Sequence, residues 1–232
     1  MDINKIDIDD TFNNKLTPIH ESLKNFSPKY RLKDELPEQL MACNFIKEDD
    51  CVLELGGSIG RNSCVINTLL KNKGNHLVIE PNPIEASGLK YNKVENNLDF
   101  KIEVSAISDK PLYSRGWSTY TYQIPGSVLV NTLTYDQLLE KYDMLFNVLI
   151  IDAEGNFSPM LKSFPNILNN IRLIIIEHDF NSNEDLEYFV DVLTTNNFKM
   201  TCKYLKNDKY GPGNNWPDGL KNDPIFVSAW VR

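Results

Sequence analysis

The stretch Cys51-Val-Leu-Glu-Leu-Gly-Gly-Ser-Ile-Gly60 decides how the rest of the chain is read. An apolar run, Val52 to Leu55, carries one carboxylate, Glu54, and ends in glycines at 56, 57 and 60. Downstream, Val65, Ile66, Leu69 and Leu70 fall at helical spacing. Strand, glycine turn and helix in that order open an α/β sheet, and in open sheets of this kind ligands sit beyond the carboxyl ends of the strands. Glycine at 56 and 60 lets the backbone turn sharply and approach a ligand, while the helix start offers free N–H groups.

A second strand, His76-Leu-Val-Ile-Glu80, ends in a carboxylate about 20 residues past the glycines, where a ribose-binding site places its acidic residue. A dinucleotide site needs G-x-G-x-x-G so that pyrophosphate reaches the helix N-terminus. Neither register supplies it: from Gly56 the pattern asks for glycine at Ser58 and Arg61, and from Gly57 it asks for glycine at Ile59 and Asn62. Glu54 would repel a pyrophosphate and stabilise a cationic amino-acid portion. The combination favours S-adenosylmethionine over NAD.

At 232 residues the chain is read as an N-terminal arm and helix, 1–45, followed by one α/β domain, 46–232. Residues 1 to about 30 are weakly patterned and expected to be a partly ordered arm; the helix begun at Leu36-Pro37 either covers the cofactor pocket or packs on the sheet edge. A formal net charge of −8 gives no electrostatic footprint for nucleic acid. Four scattered cysteines without a C-x-x-C pair read as buried thiols of a reducing compartment. No apolar run approaches a membrane span and the first ten residues are too acidic for a targeting peptide, so a soluble cytoplasmic protein is expected. Oligomeric state is not legible.

Further strands are expected over Phe100–Ala106, Phe146–Ile151 and Arg172–Glu177, with a closing hairpin near Phe198–Leu205 and Ile225–Val231. Between Pro111 and Val130, Tyr113, Trp117, Tyr120 and Tyr122 stand among Ser, Gly and Thr, which reads as short strands suited either to a sugar-like substrate or to packing. Thr134 and Gln137 have capping-box spacing, and Ser158-Pro159 reads as a helix start. The fourth strand delivers Asp152-Ala-Glu154-Gly155 to the edge that carries Glu54 and Glu80, and the fifth brings Glu177, His178 and Asp179 beside them. His178, with Asp152 and Glu154, is the candidate general base; the rival is Mg²⁺ held by Asp152, Glu177 and Asp179. The long loop Asn207–Asp223, with Trp216 at its centre, reads as a lid on the acceptor.

In order, the blocks Glu54-Leu-Gly-Gly-Ser-Ile-Gly60, Ile79-Glu-Pro-Asn-Pro83, Ala106-Ile-Ser-Asp109, Thr132-Leu-Thr-Tyr-Asp136, Ile151-Asp-Ala-Glu-Gly155 and Ile176-Glu-His178 resemble those of the FkbM family of S-adenosylmethionine-dependent methyltransferases. The resemblance covers about Asp50 to Phe180. It implies a Rossmann-like class I methyltransferase fold: a three-layer α/β sandwich on a seven-stranded, mostly parallel sheet whose last strand runs antiparallel between the fifth and sixth. It also implies O-methylation of sugars and hydroxylated small molecules, with S-adenosylhomocysteine as product. The implied cofactor set is Glu54, Gly56, Gly57, Ser58 and Gly60 for the methionine part, Glu80 for the ribose, Ala106 for the adenine, and Asp152. Two positions depart from the family pattern, Ser58 for its usual Asn and Ile150 for its usual Lys. Competing classes are a non-catalytic cofactor-binding module and an RNA ribose methyltransferase. The latter would be expected to show catalytic lysines and a basic face that are not evident here.

Overall fold

The computed structural model describes residues 8–208 and 223–232. In chain order the strands are β1 (Val52–Leu55), β2 (His76–Ile79), β3 (Lys101–Glu103), β4 (Ala106–Ile107), β5 (Leu112–Arg115), β6 (Ser118–Tyr120), β7 (Val128–Val130), β8 (Thr132–Leu133), β9 (Val148–Ile151), β10 (Leu173–Glu177), β11 (Lys199–Leu205) and β12 (Ile225–Val231). The α-helices are α1 (Ile8–Thr11), α2 (Thr17–Ser22), α3 (Leu36–Phe45), α4 (Arg61–Leu69), α5 (Pro83–Glu95), α6 (Tyr135–Tyr142), α7 (Phe157–Ser163) and α8 (Asn183–Thr195).

Seven strands form one sheet in the order β11-β12-β10-β9-β1-β2-β3, with β12 antiparallel to both neighbours. β1, β2, β9 and β10 are buried at every position, as continuous apolar runs in a parallel sheet covered on both faces should be. Strand alternation then splits the core into two layers. Val52, Val78, Val148, Ile150, Leu173 and Ile175 pack with residues of α3 and α4, whereas Leu53, Leu77, Leu149, Ile151, Ile174 and Ile176 pack with residues of α6, α7 and α8. Leu55 pairs level with Ile79 and Ile151, and Ile151 with Ile176. The residues that follow, Gly56, Glu80, Asp152 and Glu177, therefore emerge along one rim.

Three local readings change. The third strand is shorter than Phe100–Ala106: β3 stops at Glu103, and Ala106–Ile107 pairs with Thr132–Leu133 as a separate parallel ribbon. The helix expected to start at Ser158-Pro159 starts at Phe157 with Asn156 in the cap position, and the buried Ser158 hydroxyl donates instead to Asp185 O at 3.0 Å. Described residues of the supposed arm belong to the core, with Leu16, Leu23, Phe26 and Leu32 at most 2% exposed in the layer that holds Val65 and Ile66. The Thr134–Gln137 capping box is present with both reciprocal bonds. The four cysteines are free thiols, three of them buried. Among the described residues no helix is long and apolar enough to cross a membrane.

Candidate active site

The turn after β1 is shaped by contact with the neighbouring strand. Gly56 has φ +89°, and a Cβ there would stand 1.7 Å from the carbonyl oxygen of Asp152, so only glycine fits. Ser58 is also left-handed, at φ +43°. Asn tolerates that region better than most residues, which gives a physical reason for the family's usual asparagine at this position. The Ser58 N–H donates to Glu80 Oε2 and the Asn82 N–H to Glu80 Oε1, each at 2.7 Å. Asn82 in turn caps α5 through the Ile84 N–H, so the carboxyl of Glu80 is clamped between two turns. Burial pushes that carboxyl up to about 7 in spite of the two donors.

A cavity of about 670 Å³ opens along this rim, lined by Gly56, Ser58, Glu80, Ala106, Asp152 and Glu177 among others. Asp152 and Glu177 both titrate well above the usual carboxylate range. Burial is the first cause in each; Glu35 and Asp179 add to it at Asp152, and Asp152 and Glu38 add to it at Glu177. Behind them, on α3, Glu38 is 4% exposed, and among the described residues its carboxyl oxygens have no hydrogen-bond partner in another residue. Burial and then Glu35 push it up to about 8.

The facing end of the cavity comes from the segment before α3 and from Arg61, which follows Gly60 as the first residue of α4. Arg61 is 7% exposed; its Nη1 donates to Glu35 Oε1 at 2.7 Å and to Ser58 Oγ at 3.3 Å, while its Nε faces Asp34 Oδ2 at 3.9 Å and makes no hydrogen bond among the described residues. The sequence reading missed Arg61, Glu35 and Glu38. One signal was available: a cation in the first turn of a helix opposes the helix dipole and calls for an anionic partner.

Several expected residues stand elsewhere. Glu54 is 2% exposed and bonded to the buried His76 Nε2 at 2.9 Å, and it does not line the cavity. Gly57 and Gly60 do not line it either: a Cβ at Gly57 would stand 2.3 Å from Val78 Cγ1, and one at Gly60 2.8 Å from Leu89 Cδ1, so both positions serve close packing. His178 is not presented to a ligand. It is 3% exposed, with Nδ1 at 2.8 Å from Asp223 Oδ2, Nε2 at 2.7 Å from Ser228 Oγ, and its ring edge-on to Phe180. Alternation explains this: Glu177 takes the α3 face of β10, and His178 turns to the other.

Glu154 does line the cavity, at φ +51°, while the Asp179 carboxylate accepts the Gly155 N–H at 2.7 Å and so fixes the turn after β9. With Asp179 committed to that turn, the expected Mg²⁺ set of Asp152, Glu177 and Asp179 is not assembled. Among the described residues no group of three or more His, Cys, Asp or Glu side chains is placed to hold a metal. The expected lid falls largely on 209–222, which lie outside the described residues.

The Methyltransferase FkbM domain pattern matches residues 50–200. The chain belongs to the FkbM methyltransferase family. A hexuronic acid methyltransferase of Haloferax volcanii, AglP, is 28% identical over 146 residues, which span 56% of this chain and 56% of that protein. The chain thus matches little more than half the length of this curated relative. Among solved structures, the O-methyltransferase TomG from Streptomyces achromogenes, in complex with SAM, superposes with a TM-score of 0.50 at 14% identity, covering 93% of this FkbM chain and 88% of TomG. A ribosomal protein L11 methylase from Lactobacillus delbrueckii gives a TM-score of 0.50 at 12% identity, covering 86% and 78%. The two differ in acceptor, so what they share with this FkbM protein is the Rossmann-like methyltransferase fold.

Proposed function

We propose that this FkbM protein transfers a methyl group from S-adenosylmethionine to a hydroxyl of a sugar, glycan or related small molecule. The observation that carries the reading is the rim itself, where a clamped Glu80 and two carboxyls that form no ion pair among the described residues line one cavity with a buried arginine. When bound, S-adenosylmethionine supplies a methyl group already activated on a sulfonium. Glu80 is the acceptor for ribose hydroxyls, and Ala106 lies where the adenine would pack. Gly56 and Ser58 let the backbone approach the methionine portion. The Nε–H of Arg61, which makes no hydrogen bond among the described residues, suits its carboxylate, and Asp152 and Glu177 suit its positive charges.

An alcohol is far from ionised near neutral pH and must lose its proton as the oxygen attacks carbon. Asp152 is the group proposed to take it, because its raised carboxyl is a stronger base than an ordinary one and it opens onto the cavity. Glu154, on the same turn, also lines the cavity and is available to the acceptor's hydroxyls. Most of the acceleration then comes from holding the acceptor oxygen in line, which alone is worth effective molarities of about 10⁵–10⁸ M in favourable cases. A sugar acceptor is favoured by the hexuronic acid named for the Haloferax relative and by an amphipathic part of the lining, where Ser114 and Thr119 join the largely exposed Trp117.

Calorimetry with S-adenosylmethionine, followed by a methyl-release assay over hexuronic acids, neutral sugars and nucleotide sugars, tests the reading. Binding with turnover on a sugar is expected. Binding without turnover on any member of the panel would instead indicate a cofactor-binding module, and absence of binding would overturn the whole assignment.

A further inference from the structure

The antiparallel sheet β6-β5-β7 presents two different faces. Leu112, Ser114 and Thr119 line the cavity. Register pairs Tyr113 with both Tyr120 and Leu129, and Arg115 with Ser118, so alternation puts this second set on the face turned away from the cavity. Just past the end of β6, the ring of Tyr122 lies 6.1 Å from that of Tyr120. Of the nine large apolar side chains left exposed among the described residues, four fall between 117 and 129: Leu129 on the outward face, Val128 opposite Ser114 on the cavity face, Trp117 in the turn between β5 and β6, and Tyr122 just past β6. Exposed apolar surface gathered in one place marks an interaction site more often than scattered single residues do.

Trp117 joins the two faces. It sits in the turn between β5 and β6, lines the cavity mouth, and is still 65% exposed. From it to Tyr120 the strand runs about 10 Å, longer than one pyranose ring. Hydroxyl-tipped rings alternate here with Ser118 and the exposed Arg115, which has no ion pair among the described residues. That mixture fits a ligand with apolar C–H faces, hydroxyl edges and negative charge; a surface for acyl chains would not interpose a guanidinium and hydroxyls.

We propose that the outward face of this sheet is an extension subsite for an acidic glycan: sugars linked to the acceptor stack on Tyr120 and Tyr122, and Arg115 pairs with a carboxylate. The proposal rests on the sugar acceptor proposed above and adds that the acceptor is an oligosaccharide rather than a single sugar.

The test compares galacturonic acid with tetragalacturonate as acceptors for the wild type, Tyr122→Ala and Arg115→Gln; neither substituted residue lines the cavity. The wild type should use the tetrasaccharide better, and each variant should lose about three- to tenfold of that gain, chiefly in KM. Rates on galacturonic acid and cofactor affinity should stay unchanged. In a second arm, calorimetry measures binding of tetragalacturonate to protein saturated with S-adenosylhomocysteine. Binding that both variants weaken supports the subsite even where no methyl is transferred, a result that would sink the acceptor chemistry alone. Turnover of galacturonic acid with no gain for the tetrasaccharide overturns the subsite and leaves the function standing. Absence of tetrasaccharide binding, or variants that keep the full gain, also overturns it, as does loss in the variants of binding to anionic phospholipid vesicles in place of the glycan.

Discussion

On the strand-end wall of the cavity, Asp152 and Glu177 form no ion pair among the described residues. On the N-terminal wall, Arg61 meets Glu35 at 2.7 Å and Arg31 meets Asp34 at 3.0 Å. One wall is compensated and the other is left short of positive charge. Desolvation disfavours a carboxylate whatever its neighbours, and a protein that only needed a stable rim would place apolar groups there. The contrast teaches that the deficit is local and faces the cavity, as expected where the missing charge arrives with a ligand. Even the compensated wall retains one donor without a hydrogen bond among the described residues, Arg61 Nε, although Asp34 stands 3.9 Å from it.

The comparison breaks first at Asp152. If that wall supplies the base, Asp152→Asn should lower the chemical rate by about 10²–10⁴ at saturating cofactor, beyond any loss of cofactor affinity from the missing charge, as rapid-quench single turnovers would report. An unchanged single-turnover rate would return the carboxyl to a purely electrostatic role. Next comes Glu80. Removing an acceptor of charged hydrogen bonds costs roughly 1.5–3 kcal/mol, so Glu80→Ala should weaken cofactor binding about ten- to a hundredfold by calorimetry, and equal affinity would exclude the ribose assignment.

A pH series sharpens the same contrast. Burial raises Glu80 from the ordinary 4.5 to about 7, so the free protein is favoured with this carboxyl protonated. Its contribution to stability is present below about 4.5 and is lost as pH rises through about 7. A ligand that needs the carboxylate as acceptor has the opposite slope. Cofactor affinity should therefore rise between pH 6 and 8 while the melting temperature of the free protein falls, and Glu80→Gln should flatten both trends. Parallel slopes, or a variant that keeps them, would show that another group controls the titration.

The smallest expected effect on activity is at His178. His178→Asn should leave kcat within about twofold and cost about 1–3 kcal/mol in a urea melt, since it strands partners inside the sheet edge. Burial pushes the Asp223 carboxyl up, but its bond to His178 outweighs this and holds it below the usual range. That contribution is present at neutral pH and lost as pH falls through the lowered value. A large loss of kcat with stability intact would restore the histidine as a catalytic group.

Asp152, Glu80 and His178 also show where sequence stops being legible. Val52–Leu55, His76–Ile79, Val148–Ile151 and Leu173–Glu177 could be read because apolar runs in a parallel sheet are contiguous, and the residue after each run lands on the rim by chain connectivity. Glu80 and Asp152 were therefore within reach. Glu177 and His178 are adjacent, and choosing between them needed the face of β10 on which α3 packs; proximity to the rim was not enough. Glu54 looked like a ligand residue because it precedes the glycines, yet its parity with Val52 turns it toward His76. The N-terminal wall was out of reach for another reason. Arg31, Glu35 and Glu38 arrive through the packing of Leu16, Leu23, Phe26 and Leu32, a stripe scattered through a polar segment and joined to the site only by tertiary contact.

The uncompensated carboxyls have a consequence for the reaction cycle as well as for the fold. With the proposed cofactor, a ligand of net charge +1 enters and, after methyl transfer, a neutral homocysteine derivative leaves. Asp152 and Glu177 should shed proton occupancy as the cation settles and regain it when the sulfonium is gone, so the site acts as a small proton buffer that exhales on loading and inhales on turnover. Calorimetric heats of cofactor binding should then vary with the ionisation enthalpy of the buffer, and those of the homocysteine product should vary less. The protein would also discriminate between fresh and spent cofactor by charge alone, which offers a physical route to product release without any moving part.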